Sequence, residues 1–95
     1  MRQVKVTVKG VRAGFGTVFE ATITVTNPTE TAVKDFEITC RLFAASGTEI
    51  DEVRTTLYEA VPPNATKTFR KVNFGFMDSQ TTNYNCRLTG LELVS

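Results

Sequence analysis

Residues 36–42 read Phe-Glu-Ile-Thr-Cys-Arg-Leu, an unbroken alternation of apolar and polar side chains. A period of two places successive side chains on opposite faces of an extended strand, so one face is buried and the other solvated. The same rhythm runs through residues 19–26, Phe-Glu-Ala-Thr-Ile-Thr-Val-Thr, and through residues 4–9, Val-Lys-Val-Thr-Val-Lys. These three stretches predict β-strands that each contribute one face to a common core.

Turn-forming residues separate these strands from one another and from those that follow. Turns are predicted at Gly10/Gly14/Gly16, Asn27-Pro28-Thr29, Ser46-Gly47, Pro62-Pro63-Asn64 and Asp78-Ser79-Gln80. The apolar phase changes near Asp51-Glu52, which predicts a β-bulge, and again at Arg70-Lys71 and Gly90. The expected inward residues of the later strands are Val53, Leu57, Val61, Phe69, Val72, Phe74, Phe76, Tyr84, Cys86, Leu88, Leu91 and Leu93.

The pattern as a whole predicts an all-β protein. No window shows a sustained helical period with capping residues, so helices are expected to be minor or absent. Short half-polar strands separated by turns predict a two-sheet antiparallel immunoglobulin-like sandwich of six to seven strands. An open barrel is the alternative. The chain length of 95 residues predicts a single β-sandwich domain over residues 1–95.

Composition and charge exclude several functional classes. The chain has 11 basic and 10 acidic residues, a net charge of +1, and no histidine. The absence of histidine removes the commonest general base and metal ligand, so we expect no enzyme, no catalytic residue, no metal site and no cofactor. Dispersed charges argue against nucleic acid. No apolar stretch is long enough for a membrane helix, so membrane attachment is expected only through an anchor outside this chain.

The chain resembles the FxLYD family of small immunoglobulin-like domains over roughly residues 18–76. The matching segments are Val25-x-Asn27-Pro28-Thr29, Phe36-x-Ile38-x-Cys40-x-Leu42-Phe43-Ala44-x-x-Gly47 and Val61-x-Pro63-Asn64-x-Thr66-x-x-Phe69. Cys40, Phe43 and Ala44 stand where the family has an aromatic residue, the tyrosine and the aspartate. The resemblance implies an accessory, non-enzymatic module of prokaryotic exported or membrane-anchored proteins, with no standard ligand and no catalytic residues.

Cys40 and Cys86 both lie on the inferred inward faces of strands. A disulfide between them would close a loop of about 46 residues and stabilise the domain by roughly 4 kcal/mol in the chain-entropy model. Such a bond would place the protein in an oxidising compartment: periplasmic, cell-surface or secreted. The alternative is two buried, reduced thiols that act as small hydrophobic side chains. The first residues show no signal peptide.

An acidic stretch and two loops supply the remaining candidates. Glu49, Asp51, Glu52 and Glu59 could bind calcium through their oxygens, or they could form a solvated sheet face paired with arginine. Phe15 and Met77 are the candidate exposed apolar residues of loops, as contact residues or tucked onto a sheet edge.

The expected function is a non-catalytic extracytoplasmic interaction or spacer module that acts through sheet edges or loops. Its partner would be an unknown protein, or a second copy bound by edge-strand pairing to give a homo-oligomer. The favoured edges are the first strand and the strand containing Asp51 and Glu52. A small-ligand or calcium-binding sandwich using residues 49–59 is the alternative.

Overall fold

A computed structural model describes residues 4–14 and 16–94 of the chain. Within these residues the secondary structure is entirely β, and no helix is long and apolar enough to cross a membrane. Six antiparallel strands are present in this part of the chain: β1 Lys5–Ala13, β2 Val18–Asn27, β3 Val33–Ala44, β4 Glu49–Val61, β5 Ala65–Phe76 and β6 Thr81–Leu93. The predicted all-β class is therefore confirmed.

The strands form two sheets of three, with orders β1-β2-β5 and β4-β3-β6. The sheets face each other as a two-layer sandwich in which β1 contacts β6 and β5 contacts β4. Consecutive strands pair within a sheet in β1-β2 and β3-β4, while the chain crosses between layers after β2, β4 and β5. This connectivity makes β2 and β3 the central strands of their sheets.

The two central strands supply most of the fully buried side chains. Phe19, Ala21, Ile23 and Val25 of β2 and Phe36, Ile38, Cys40 and Leu42 of β3 are all at most 2% exposed. These are the residues that the two-residue period places on the inner faces. Most inner residues of the outer strands are only partly buried, because no further strand of the described chain covers their flank. Val61 of β4 and Phe74 of β5 are among the exceptions and are buried.

Gly10 lies inside β1, and its predicted position in a turn is wrong. A Cβ at Gly10 would lie 2.4 Å from Cε1 of Phe19, which packs its ring against the backbone of β1. The ring of Phe19 also contacts Phe74 and Tyr84, with centroids 5.3 Å and 5.2 Å away. A glycine is therefore needed here because a neighbouring ring fills the space of its missing side chain.

The predicted phase changes correspond to irregularities in strand pairing. Ile50 is the extra residue between the rungs Leu42–Asp51 and Phe43–Glu49, so the bulge lies just before the expected Asp51-Glu52. Lys71 has a φ of 56° at the predicted break in β5, and the pairing of β6 with β3 shifts next to Gly90. A further irregularity at Asp35, with a φ of 52°, has no signal in the apolar pattern.

Two predicted inward residues are exposed. Phe76 is 82% exposed, because it pairs with Val18 on the outer face of the sheet rather than continuing the inner stripe of Phe74. The change of face follows Gly75, whose φ of 103° is outside the range that L side chains favour. Leu93 is 64% exposed at the end of β6.

Asn27 joins two loops from a fully buried position at the end of β2. Its Nδ2 lies 2.8 Å from the carbonyl oxygen of Thr31, 3.3 Å from that of Val61 and 3.2 Å from that of Pro62. Its Oδ1 accepts hydrogen bonds from the backbone N and the hydroxyl of Thr29. One side chain therefore ties the β2-β3 loop to the start of the β4-β5 turn.

We expect Gly10→Ala to lower the free energy of unfolding by about 1–3 kcal/mol, because the new methyl group overlaps the Phe19 ring. Gly90→Ala is the matched control, since its Cβ would come no closer than 3.4 Å to Glu37. Urea unfolding of both variants, of Phe19→Leu and of Gly10→Ala/Phe19→Leu measures the coupling between positions 10 and 19. Equal losses in Gly10→Ala and Gly90→Ala would contradict the assignment.

We expect Asn27→Asp to lower the free energy of unfolding by about 3 kcal/mol or more, because a carboxylate oxygen would face three carbonyl oxygens without a proton to donate. Asn85→Asp, at an exposed position, is the isosteric control and should have little effect. Thermal and urea unfolding at neutral pH give the comparison. A loss below about 1 kcal/mol for Asn27→Asp would show that these hydrogen bonds contribute little.

Candidate functional site

The candidate site is the set of free sheet edges, because unpaired backbone groups there can bind another strand. In the described part of the chain these edges are β1 and β5 of one sheet and β4 and β6 of the other. The predicted edge position of the first strand is confirmed. The four edges differ in charge, and this difference decides which of them is protected against unwanted strand pairing.

Three of the edge strands carry an excess of one charge. β1 has three basic and no acidic residues, Lys5, Lys9 and Arg12. β5 likewise has Lys67, Arg70 and Lys71 with no acidic residue. β4 has four acidic residues and one basic residue, Glu49, Asp51, Glu52, Glu59 and Arg54. Charges and bulges of this kind disfavour unwanted pairing at sheet edges.

β6 is the exception among these edges. Its sequence, Thr-Thr-Asn-Tyr-Asn-Cys-Arg-Leu-Thr-Gly-Leu-Glu-Leu, has a single basic residue, Arg87, and a single acidic residue, Glu92. It contains no lysine and no proline. Its inner side chains Tyr84, Leu88 and Leu91 pack against the core yet remain partly accessible at the flank. β6 therefore combines free backbone groups with uncovered apolar surface.

A disulfide fixes β6 to its neighbour. Cys40 and Cys86 oppose each other directly on β3 and β6, with Cα atoms 4.0 Å apart and a bond between the sulfurs. The predicted Cys40–Cys86 bridge is thus present in the structure. It joins two strands of one sheet, whereas the disulfide of antibody domains joins the two sheets. The covalent bond holds the edge strand at the middle of its length.

A cleft separates β6 from β1 where the two sheets meet. It has a volume of about 140 Å³ and is lined by residues that include Phe19, Met77 and Thr81. Two hydrogen bonds cross it: the Tyr84 hydroxyl accepts from Gly10 N at 2.8 Å, and Arg12 donates to the carbonyl oxygen of Thr81. The buried hydroxyl of Thr81 has no hydrogen-bond partner among the described residues. The two hydrogen bonds connect the edge strand β6 to β1 of the opposite sheet.

Three of the four acidic residues of β4 form ion pairs. Glu49 accepts a hydrogen bond from Arg41 Nε at 2.6 Å, Glu52 lies 3.4 Å from Arg54, and Glu59 lies 3.5 Å from Lys67. No cluster of three or more potential metal-ligating residues occurs among residues 4–14 and 16–94. Glu49, Glu52 and Glu59 are thus exposed and charge-paired with basic side chains, and calcium binding stays a prediction without a ligand cluster to support it.

The candidate contact residues fall in different environments. Met77 is 7% exposed and its backbone N donates to Thr17 O at 2.7 Å, so its role as an exposed loop residue is wrong and the tucked alternative holds. Phe15 lies outside the described residues. Asp51 and Glu52 are exposed on the edge strand β4, and their role as contacts stays a prediction.

Sequence reasoning missed β6 as a candidate edge: it expected Leu88 and Leu91 as inward residues only and did not single out Arg87 or Glu92. A signal for this edge was present in the sequence, because the strand has no excess of one charge, unlike β1, β4 and β5. The cross-sheet contacts of Gly10 and Arg12 had no such signal, since they depend on which strands face each other.

Comparisons with known proteins do not extend this picture. No family model matches the chain, and no curated protein or solved structure matches it. The resemblance to the FxLYD family therefore stays a prediction.

We expect reduction of the Cys40–Cys86 disulfide to lower the free energy of unfolding by about 4 kcal/mol, since the released loop regains conformational freedom in the unfolded chain. Urea unfolding with and without reductant measures the loss, and alkylation followed by mass measurement counts the thiols. The variant Cys40→Ala/Cys86→Ala is the control and should be insensitive to reductant. Labelling of both thiols in unreduced, unfolded protein would contradict the disulfide.

Proposed function

We propose that this chain is a non-catalytic interaction module that binds another polypeptide through a sheet edge. The observation that carries the proposal is the uncovered, charge-poor edge of β6, which contrasts with three edges that each carry an excess of one charge. An added strand would satisfy the free backbone groups of the edge and cover the accessible flanks of Tyr84, Leu88 and Leu91. Main-chain hydrogen bonds would supply affinity, and the side chains at the edge would supply selectivity.

The disulfide supports a location of the protein outside the cytoplasm. Disulfides form and persist in oxidising compartments and are rare where glutathione and thioredoxin keep thiols reduced. Cys40 is fully buried, and its partner Cys86 lies on the inner face of β6. We therefore propose a periplasmic, cell-surface or secreted protein. The FxLYD resemblance points in the same direction, toward an accessory domain of an exported prokaryotic protein.

Site-specific photo-crosslinking tests the proposal. A benzophenone amino acid replaces one exposed residue on each edge strand in turn: Lys9 of β1, Arg54 of β4, Arg70 of β5 and Asn85 of β6. The same replacement at Thr24, on the outer face of the central strand β2, is the matched control. Each oxidised protein is irradiated alone and in an extract of the source cells, and adducts are identified by mass spectrometry.

We expect adducts at Asn85 and none above background at Thr24. Adducts at Lys9, Arg54 or Arg70 alone would support edge binding at a different strand. Equal labelling at edge and control positions, or adducts at no edge, would contradict an interaction module of this kind.

A further inference from the structure

We propose that the partner of β6 is the β6 strand of a second copy of this chain, paired antiparallel about a twofold axis between Thr89 and Gly90. This inference rests on the proposed function and names its partner. The resulting dimer joins the two β4-β3-β6 sheets into one continuous six-stranded sheet.

Charge selects β6 for self-pairing. In a twofold-symmetric interface each strand meets its own copy, so a strand with an excess of one sign meets like charge. β1, β4 and β5 all carry such an excess, and like charges opposed across strands are destabilising. β6 has one charge of each sign and meets itself without net repulsion.

An extra residue in β6 determines the register of the proposed β6–β6 pairing. In a regular strand, only residues an even number apart share a face. The pairing of β6 with β3 passes from Ile38–Leu88 to Glu37–Gly90, so β6 has an extra residue at Thr89. As a result Leu88 and Leu91, three residues apart, both pack against the core, while Arg87 and Glu92 are both exposed opposite Thr39 and Lys34.

A twofold axis between Thr89 and Gly90 brings these matched residues together across the interface. Leu88 then opposes Leu91 of the partner on the inner face, and Arg87 opposes Glu92 of the partner on the outer face. Symmetry makes each of these pairs occur twice. Thr89 opposes Gly90, which has no side chain to crowd the axis. The register therefore pairs leucine with leucine and cation with anion.

The backbone of β6 is oriented for this pairing. Directly opposed residues with Cα atoms about 4.5 Å apart are the pairs that exchange no backbone hydrogen bonds with each other. The 4.0 Å separation of Cys40 and Cys86 belongs to this class, so N–H and C=O of Cys86 point to the free edge. Leu88, two residues on, has the same orientation, and Leu91 regains it after the extra residue.

Other registers lack this complementarity. An axis through Arg87 would oppose the two guanidinium groups. An axis through Cys86 would place Arg87 opposite Asn85 and leave Glu92 without a cation across the interface. Arg87 and Glu92 thus distinguish the proposed register from its competitors.

Charge reversal at the interface tests the inference. Sedimentation equilibrium of the oxidised protein over a range of concentrations gives the dimer dissociation constant for wild type, Arg87→Glu, Glu92→Arg and Arg87→Glu/Glu92→Arg. We expect each single reversal to weaken the dimer about tenfold or more, because it turns two attractions into repulsions. The double reversal should return the constant to within about threefold of wild type, because both pairs are restored with exchanged signs.

Arg54→Glu is the matched control, since it makes the same change on the same sheet but on β4, and it should leave the constant unchanged. Circular dichroism and thermal unfolding of every variant show that the fold is retained. A wild-type protein that stays monomeric up to about 1 mM would overturn the inference. A double reversal as weak as the sum of its singles would overturn it as well.

The photo-crosslinking outcome separates this inference from the proposed function. Adducts between two copies at Asn85 support both. Adducts at Asn85 only to a different protein leave the interaction module standing and overturn the homodimer. Adducts at no edge overturn the module itself.

Discussion

The covalent bond between Cys40 and Cys86 is the constraint on which the arrangement of this domain depends. β3 is the central strand of its sheet and is nearly fully buried on its inner face, whereas β6 has a neighbour on one side only. An edge strand held by one ladder of hydrogen bonds opens more readily than a central strand. The disulfide ties β6 to the most buried strand of its sheet, so the edge keeps a fixed shape while its outer side stays free.

A sandwich with two sheets of three strands has a small hydrophobic core. In the described part of the chain, only β2 and β3 have neighbours on both sides, so most inner residues of the other strands are left partly accessible. Individual hydrogen bonds connect the strands and loops where the apolar residues are incompletely buried. The Tyr84 hydroxyl reaches the backbone of Gly10, Arg12 reaches the carbonyl oxygen of Thr81, and Asn27 connects two loops at the other end. Each contact joins segments that lie far apart in the sequence.

The sequence was sufficient to predict the structure wherever local chemistry determines it. The stripe from Phe36 to Leu42 was predicted because a two-residue period sets both strand and face. The turn at Asn64 was predicted because Pro62-Pro63-Asn64 are turn-forming residues, and Asn64 adopts the left-handed φ of 54° that asparagine tolerates. Gly10 was misplaced because its requirement comes from the Phe19 ring on the next strand. Phe76 was expected on the inner face because the change of face after Gly75 is not visible in the pattern of apolar residues. The cysteine pair was expected, but its placement within one sheet depends on strand order, which a period cannot reveal.

The irregular edge strands β4 and β5 lie at the same flank of the sandwich, one from each sheet. Their opposite charges attract these two edges to each other within one molecule, as the contact of Glu59 with Lys67 shows. The extra residue at Ile50 and the left-handed backbone at Lys71 interrupt regular pairing, and irregular edges of this kind are poor templates for an additional strand. Backbone shape and charge together therefore disfavour strand addition along the whole of this flank, opposite the flank where β6 lies.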